Sequence, residues 1–261
     1  MRSSVRRRLA VATWRPPREG RIHGRLEVDA TAMLDYVDRV RARTGEQVTI
    51  THVVGAALAR AVRAVPEART RVVLGRIVAV DSCDIAFAVD IDDGEDLAPV
   101  KVSGADCKSP LQICAELRAG AARLRAGTDP AYARSSAIVR AVPWWTLRPV
   151  LSVASLLVGG LGVPAFGQPG RPLGTAFVSN LGTLGLDEGF IAPLPFARVP
   201  LYLAVGAVRD AAVIVEGAVV VRPQLVLVAT ADHRLMDGAH AGRVATVLRE
   251  LLSDPDALDT R

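Results

Sequence analysis

Cysteine and aromatic rings are both scarce in this chain, with three cysteines and 4% Phe, Trp and Tyr among 261 residues. Cys83, Cys107 and Cys114 are odd in number and show no Cys-x-x-Cys spacing, which argues against a disulfide framework and against a zinc knuckle. A reducing cytoplasm is the expected setting. No Gly-x-x-x-x-Gly-Lys loop and no Gly-x-Ser-x-Gly elbow occurs, so neither a phosphate cradle nor Ser-His-Asp hydrolysis of the elbow type is signalled. The arginine-rich start, Met1 to Arg8, is not followed by an apolar core, and a secretory signal is not expected. Internal repeats, low-complexity linkers and Pro/Ala-rich tethers are also missing, which favours one compact domain over residues 25–256 with a short tail at 257–261.

Half of the residues are apolar, enough for a sizeable core. The net charge of +5 owes much to arginines at positions 2, 6, 7, 8, 15, 18, 21 and 25, which define a basic arm over residues 1–24. Nucleic acid is one partner such an arm can take. This one lacks the interleaved aromatics that stack on bases, so a solvated surface or an oligomer contact is the expected role.

Apolar residues repeat at helical spacing over residues 31–43, 52–65, 110–125 and 239–252, and strand patterns cover residues 26–29, 71–80, 83–91, 97–102, 175–178, 201–208, 211–215 and 224–230. Asp92-Asp93-Gly94 reads as a turn. Residues 137–170 stand apart, because they contain Trp144-Trp145 and no charge between Arg148 and Arg171. The dense apolar run, 150–161, is shorter than the roughly 20 residues that cross a bilayer. A buried or interface helical hairpin is the expected form, with an acyl-chain or membrane-surface patch as the alternative and no integral span.

Of four histidines, only His233 has neighbours that form a physical unit. The apolar strand 224–230 delivers Asp232-His233-Arg234 at its end, and Asp237 stands where it can cap the helix that follows. A neutral imidazole can take a proton from a hydroxyl or thiol, the work of a general base. The alternatives are a packed histidine beside a capping aspartate, and a metal pair with Asp237, for which two ligands are too few. His23, His52 and His240 are expected in surface or packing roles.

The run Asp232-His233-Arg234-Leu235-Met236-Asp237-Gly238 resembles the Asp-His-Arg-x-x-Asp-Gly signature in the catalytic domain of the E2 acyltransferase subunits of 2-oxoacid dehydrogenase complexes, relatives of chloramphenicol acetyltransferase. Other segments agree in order: Val65-Pro66-Glu67-Ala68, Leu97-Ala98-Pro99-Val100, Ala105-Asp106-Cys107-Lys108-Ser109, and Phe177-Val178-Ser179-Asn180-Leu181-Gly182. The likeness covers residues 25–256 and is weakest at 130–171, which looks like an insertion.

The resemblance implies an α/β fold, a two-layer α+β sandwich with a mixed sheet covered by helices, assembled as a homotrimer with interfacial active sites. It implies His233 as base, Ser179 as donor to the oxyanion and Asp237 as the residue that shapes the loop, with Asp232, Arg234 and Asn180 in support. Acetyl-CoA or another acyl-CoA would be the co-substrate, with no metal. No lipoyl lysine segment is present, so a standalone enzyme is expected. It would acetylate a hydroxyl of a small-molecule or carrier-protein-bound acceptor, as in tetronate polyketide tailoring. The alternatives are a lipoyl-domain-less core of a dehydrogenase complex and a non-catalytic trimeric scaffold.

Overall fold

The computed structural model describes residues 20–91 and 96–260. Most of the basic arm and the Asp92-Asp93-Gly94 turn lie outside the described residues. The chain runs β1 (Arg21–Asp29), α1 (Thr31–Thr44), α2 (Ile50–Ala64), β2 (Thr70–Val73), β3 (Arg76–Ala79), β4 (Ile85–Asp90), β5 (Leu97–Val102), α3 (Pro110–Arg125), α4 (Pro130–Ala141), α5 (Trp144–Ala154), β6 (Ala176–Asn180), β7 (Leu201–Val215), β8 (Ala218–Asp232) and α6 (Gly238–Ser253). A π-helical stretch, Ser155–Leu161, continues α5.

Six strands form one sheet in the order β1-β8-β7-β6-β4-β5. Strand β6 lies parallel to both neighbours and every other pair is antiparallel, so the sheet is mixed, as the sequence pattern and the resemblance led one to expect. Helix α2 supplies the centre of the covering layer. Its Val53, Val54, Leu58, Ala61 and Val62 recur at helical spacing and are fully buried. A Cβ at Gly55 would stand 2.3 Å from the Phe87 ring of β4, so only glycine lets this helix lie directly on the sheet. Helix α6 packs on α2 through Val244, Leu248 and Leu252. The opposite face carries a smaller cluster of Ala86, Leu173, Ala197, Val199 and Tyr202.

Several boundaries differ from the sequence pattern. Residues 71–80 form a hairpin, β2 and β3, because Leu74 and Gly75 both take positive φ (49° and 77°) and reverse the chain. Residues 201–215 are one strand, with an irregularity between Val205 and Val208. Residues 21–24, assigned to the arm, pair with β8 inside β1, and Leu258 of the assigned tail is fully buried. Beyond α4, the apolar segment is a helix of which Trp144–Leu161 is long and apolar enough to cross a membrane by length and composition, yet 39% of it is buried in the protein. Arg71 fixes it from below. That side chain is 1% exposed and donates to the carbonyls of Gly159, Gly174 and Ala197. Burial, then the charge of Arg171, pulls it down to about 10.

His52 takes a packing role at the start of α2, where its Nδ1 accepts from the Thr49 backbone N–H at 2.9 Å. That bond needs the neutral ring. Burial first, and Arg41 second, hold the imidazole at about 4 instead of 6.5. The unfolded chain therefore takes up this proton first, and the stability held above about pH 6.5 is lost as pH falls toward 4. Thermal denaturation should show Tm falling by several degrees across that window, and by clearly less in His52→Gln, whose amide oxygen still accepts the Thr49 bond.

Candidate active site

His233 is the first residue past β8, and its position is set from both flanking strands. Asp232 N–H donates to Pro200 O at 3.0 Å just before β7, while His233 N–H donates to Gly20 O at 3.1 Å just before β1. The chain then turns tightly, with the N–H groups of Leu235 and Met236 both donating to Asp232 O at 3.0 Å. Leu235 and Met236 are buried and seat the turn in the main core. Asp237 caps α6 by accepting from the N–H groups of Ala239 (2.9 Å) and His240 (3.1 Å). Those bonds, the one from His240 foremost, hold its carboxyl below the usual range. The His240 ring lies beside Asp237 and Glu67, the surface role expected of it. His23 meets Thr230 Oγ1 at 3.1 Å and Phe190 edge-on.

The exposed His233 ring places Nδ1 3.0 Å from Met236 O. A carbonyl oxygen only accepts, so the proton of the neutral ring belongs on Nδ1 and the lone pair on Nε2. A base aimed at a substrate needs that tautomer. Asp232 is 5% exposed and is gripped by Arg234 through Nε at 3.0 Å, Nη2 at 2.6 Å and the backbone N–H at 3.0 Å. Burial pushes this carboxyl up, but the Arg234 bonds outweigh it and the net shift is downward. Together the pair closes the turn around the histidine. Beside it lies a cleft of about 250 Å³ walled by Arg21, Arg198, Arg234, Asp232 and the Pro193–Pro195 segment.

Ser179 stands near the end of β6, half-buried, on the face opposite Ala176 and Val178, which join the main core. Asn180 turns the other way, donating from Nδ2 to Thr51 Oγ1 at 2.7 Å and accepting from Thr183 N–H at 3.3 Å. The chain after it passes so close to β7 that a Cβ at Gly182 would meet Gly206 O at 2.6 Å. Ser179 pairs with Ala204, whereas His233 continues the level of Val199. Five residues of strand rise and two strand spacings separate them, roughly 19 Å by ordinary sheet geometry. Within one chain, the two side chains cannot share a reacting carbonyl.

Asp232, His233, Arg234 and Asp237 are thus brought together, and Ser179 with Asn180 forms a second group. The Met236 carbonyl, the Gly20 carbonyl and Thr51 escaped the sequence reading. The first two act through the backbone, which leaves no trace in residue type. Among the described residues no group of three metal-ligating side chains assembles.

The sheet order, the covering helices and the histidine turn define the fold of an acyltransferase catalytic core. The chain belongs to the family of 2-oxoacid dehydrogenases acyltransferases (catalytic domain), whose model matches residues 2–131 and 173–259. The dihydrolipoyllysine-residue acetyltransferase component of the pyruvate dehydrogenase complex of Staphylococcus aureus is 26% identical over 237 residues, 89% of this chain and 46% of that protein. The chain spans about half the length, or less, of the curated relatives it matches. The dihydrolipoamide acetyltransferase of Azotobacter vinelandii was solved to study a serine, a histidine and an asparagine four residues further on in its catalytic mechanism. It superposes with a TM-score of 0.69 at 20% identity, covering 92% of this chain and 84% of that one. A chloramphenicol acetyltransferase reaches 0.50 at 17% identity over 96% of both chains. These structures show the fold.

The Asp232–Arg234 grip yields a stability prediction. Asp232→Asn keeps the shape but removes the charge that Arg234 binds in a partly buried place. It should cost about 1 to 2 kcal/mol in urea denaturation, with the loss in wild type appearing only as pH falls below the carboxylate range.

Proposed function

We propose that this chain catalyses CoA-dependent acyl transfer, with His233 as general base and Ser179 of a neighbouring copy as donor to the oxyanion. The observation that carries this reading is the bond from His233 Nδ1 to Met236 O, which leaves Nε2 as the basic nitrogen. Nε2 takes the proton of the acceptor hydroxyl as its oxygen attacks the thioester carbonyl of acyl-CoA. The tetrahedral oxyanion is stabilised by a hydrogen bond from the Ser179 hydroxyl. Its collapse breaks the carbon–sulfur bond, and the CoA thiolate leaves with the proton held on Nε2.

The roughly 19 Å between Ser179 and His233, and the exposure of His233, support a site completed at an interface in a homotrimer. Oxyanion donors act strongly where water is excluded, and one chain alone leaves the histidine in solvent. The family membership supports acyl transfer, and the serine and histidine studied in the Azotobacter enzyme support these two roles. In that enzyme the third studied residue is an asparagine four positions after the histidine, where this chain has Asp237. Here that residue works as a helix cap and a shaper of the loop.

The favoured acceptor is the hydroxyl of an apolar small molecule or of a carrier-bound chain, supported by the uncharged, apolar stretch 150–166. A dihydrolipoamide thiol is the second reading, supported by the names of the curated relatives, which are components of 2-oxoacid dehydrogenase complexes.

Acetyl-CoA and longer acyl-CoAs are to be offered with hydroxyl acceptors and with dihydrolipoamide, and products read by intact mass. His233→Ala should lower the rate about 10²- to 10⁴-fold and Ser179→Ala about 10²-fold or more. Co-refolding the two variants should restore part of the activity, since some interfaces then pair an intact histidine with an intact serine. No recovery in a mixed assembly of wild-type size would sink the shared site. Silence of the wild type with every thioester would sink acyl transfer in favour of a scaffold.

A further inference from the structure

The geometry points to a second surface of this protein: α5 and its π-helical continuation lie flat on an anionic lipid bilayer, with Trp144 and Trp145 seated among the headgroups. One side of this helix belongs to the fold. Leu147, Leu151, Ala154, Val158 and Gly159 are buried, and a Cβ at Gly159 would strike Phe196 O at 2.6 Å. With Arg71 holding the Gly159 carbonyl and Arg198 holding Ser155, the helix cannot leave to span a bilayer.

The other side has no such duty. At helical spacing, residues 144, 145, 148, 149, 152 and 153 share one face, and all six are exposed. Trp144 is 81% exposed, Trp145 68% and Val153 51%. Two adjacent indoles in water cost free energy that a buried site or an interface would recover, and indoles favour the boundary where one end is apolar and the other wet.

Charge decides between a lipid surface and another occupant. From residue 130 to residue 186 the chain has no Asp or Glu, while Arg134, Arg140 and Arg148 are exposed on α4 and α5. Asp129 and Asp96 meet α4 at its first turn, through Tyr132, and the stretch that carries the two tryptophans has arginines and no acid of its own, which matches a negatively charged surface. A helix held along one side, with two tryptophans, Arg148, Pro149 and Val153 along the other, suits in-plane adsorption. The side packed in the protein, 39% of the helix, opposes insertion.

The test uses the full chain with Trp14→Phe, which leaves Trp144 and Trp145 as the only reporters. Vesicles of phosphatidylcholine alone are compared with vesicles containing about one third phosphatidylglycerol. Binding is expected to the anionic vesicles only, with a blue shift of emission, protection from acrylamide and loss of binding at high salt. In a chain that keeps Trp14, Trp144→Ser with Trp145→Ser should weaken cosedimentation about tenfold or more. Ile214→Ser with Val219→Ser, at the exposed hairpin tip, should leave it unchanged. Absence of cosedimentation, equal binding by the tryptophan double variant, or a change of oligomeric state in that variant in place of lost vesicle binding would each overturn the assignment. None of these readouts depends on acyl transfer, so they stand apart from the reading of His233.

Discussion

The candidate site depends on the register of β8. Over its last residues this strand is paired on both sides, with β1 and with β7, and the two pairings continue into the turn through the carbonyls of Gly20 and Pro200. A one-residue slip would send Leu225, Leu227 and Ala231, all buried in the main core, to the other face. A two-residue slip would move His233 by about 7 Å. The hydrophobic pattern therefore fixes where the imidazole stands, and Asp232 with Arg234 fixes how the chain leaves the strand. Rigid placement by packed elements is what the base proposed at His233 would need for proximity catalysis.

Much of this was legible because each part has its own local mark. The strand before His233 reads as a run of apolar residues, and Asp237 reads as a cap three residues ahead of His240. Ser179 was visible only through family likeness, since on its own sequence it is a turn former. The Met236 carbonyl that sets the tautomer was invisible, for backbone atoms do the work there. Arg71 was hidden for a different reason. An arginine in an extended stretch reads as surface, and its burial depends on carbonyls from Gly159, Gly174 and Ala197, at least 88 residues away in sequence. The β2–β3 hairpin escaped because Leu74 adopts a conformation that leucine rarely takes.

The glycines near Ser179 show how a loop is fixed without side chains. A Cβ on Gly206 would fall 1.8 Å from Asp187 O, so the irregularity in β7 exists to let the segment after Asn180 pass over it. Leu181 N–H donates to Val205 O and Ala207 N–H to Leu186 O across that crossing. This region is as firmly built as the histidine turn. Two rigid groups roughly 19 Å apart do not close on each other by small motions, so the proposed pairing of Ser179 with His233 calls for a second copy of the chain.

The helix 144–161 presents the converse case. Its last turn leaves carbonyls that helical bonding does not satisfy, and its C-terminal end carries partial negative charge. Arg71 answers both, giving Nη1 to Gly159 O while burial pulls its pKa to about 10. Burying a guanidinium for this purpose costs free energy unless the end of that helix has to be held. Once it is held from beneath, the outer face is released from any structural demand, and polar residues there would fold equally well. Tryptophans at two consecutive exposed positions, in a stretch the family model does not match, therefore answer to something outside the fold.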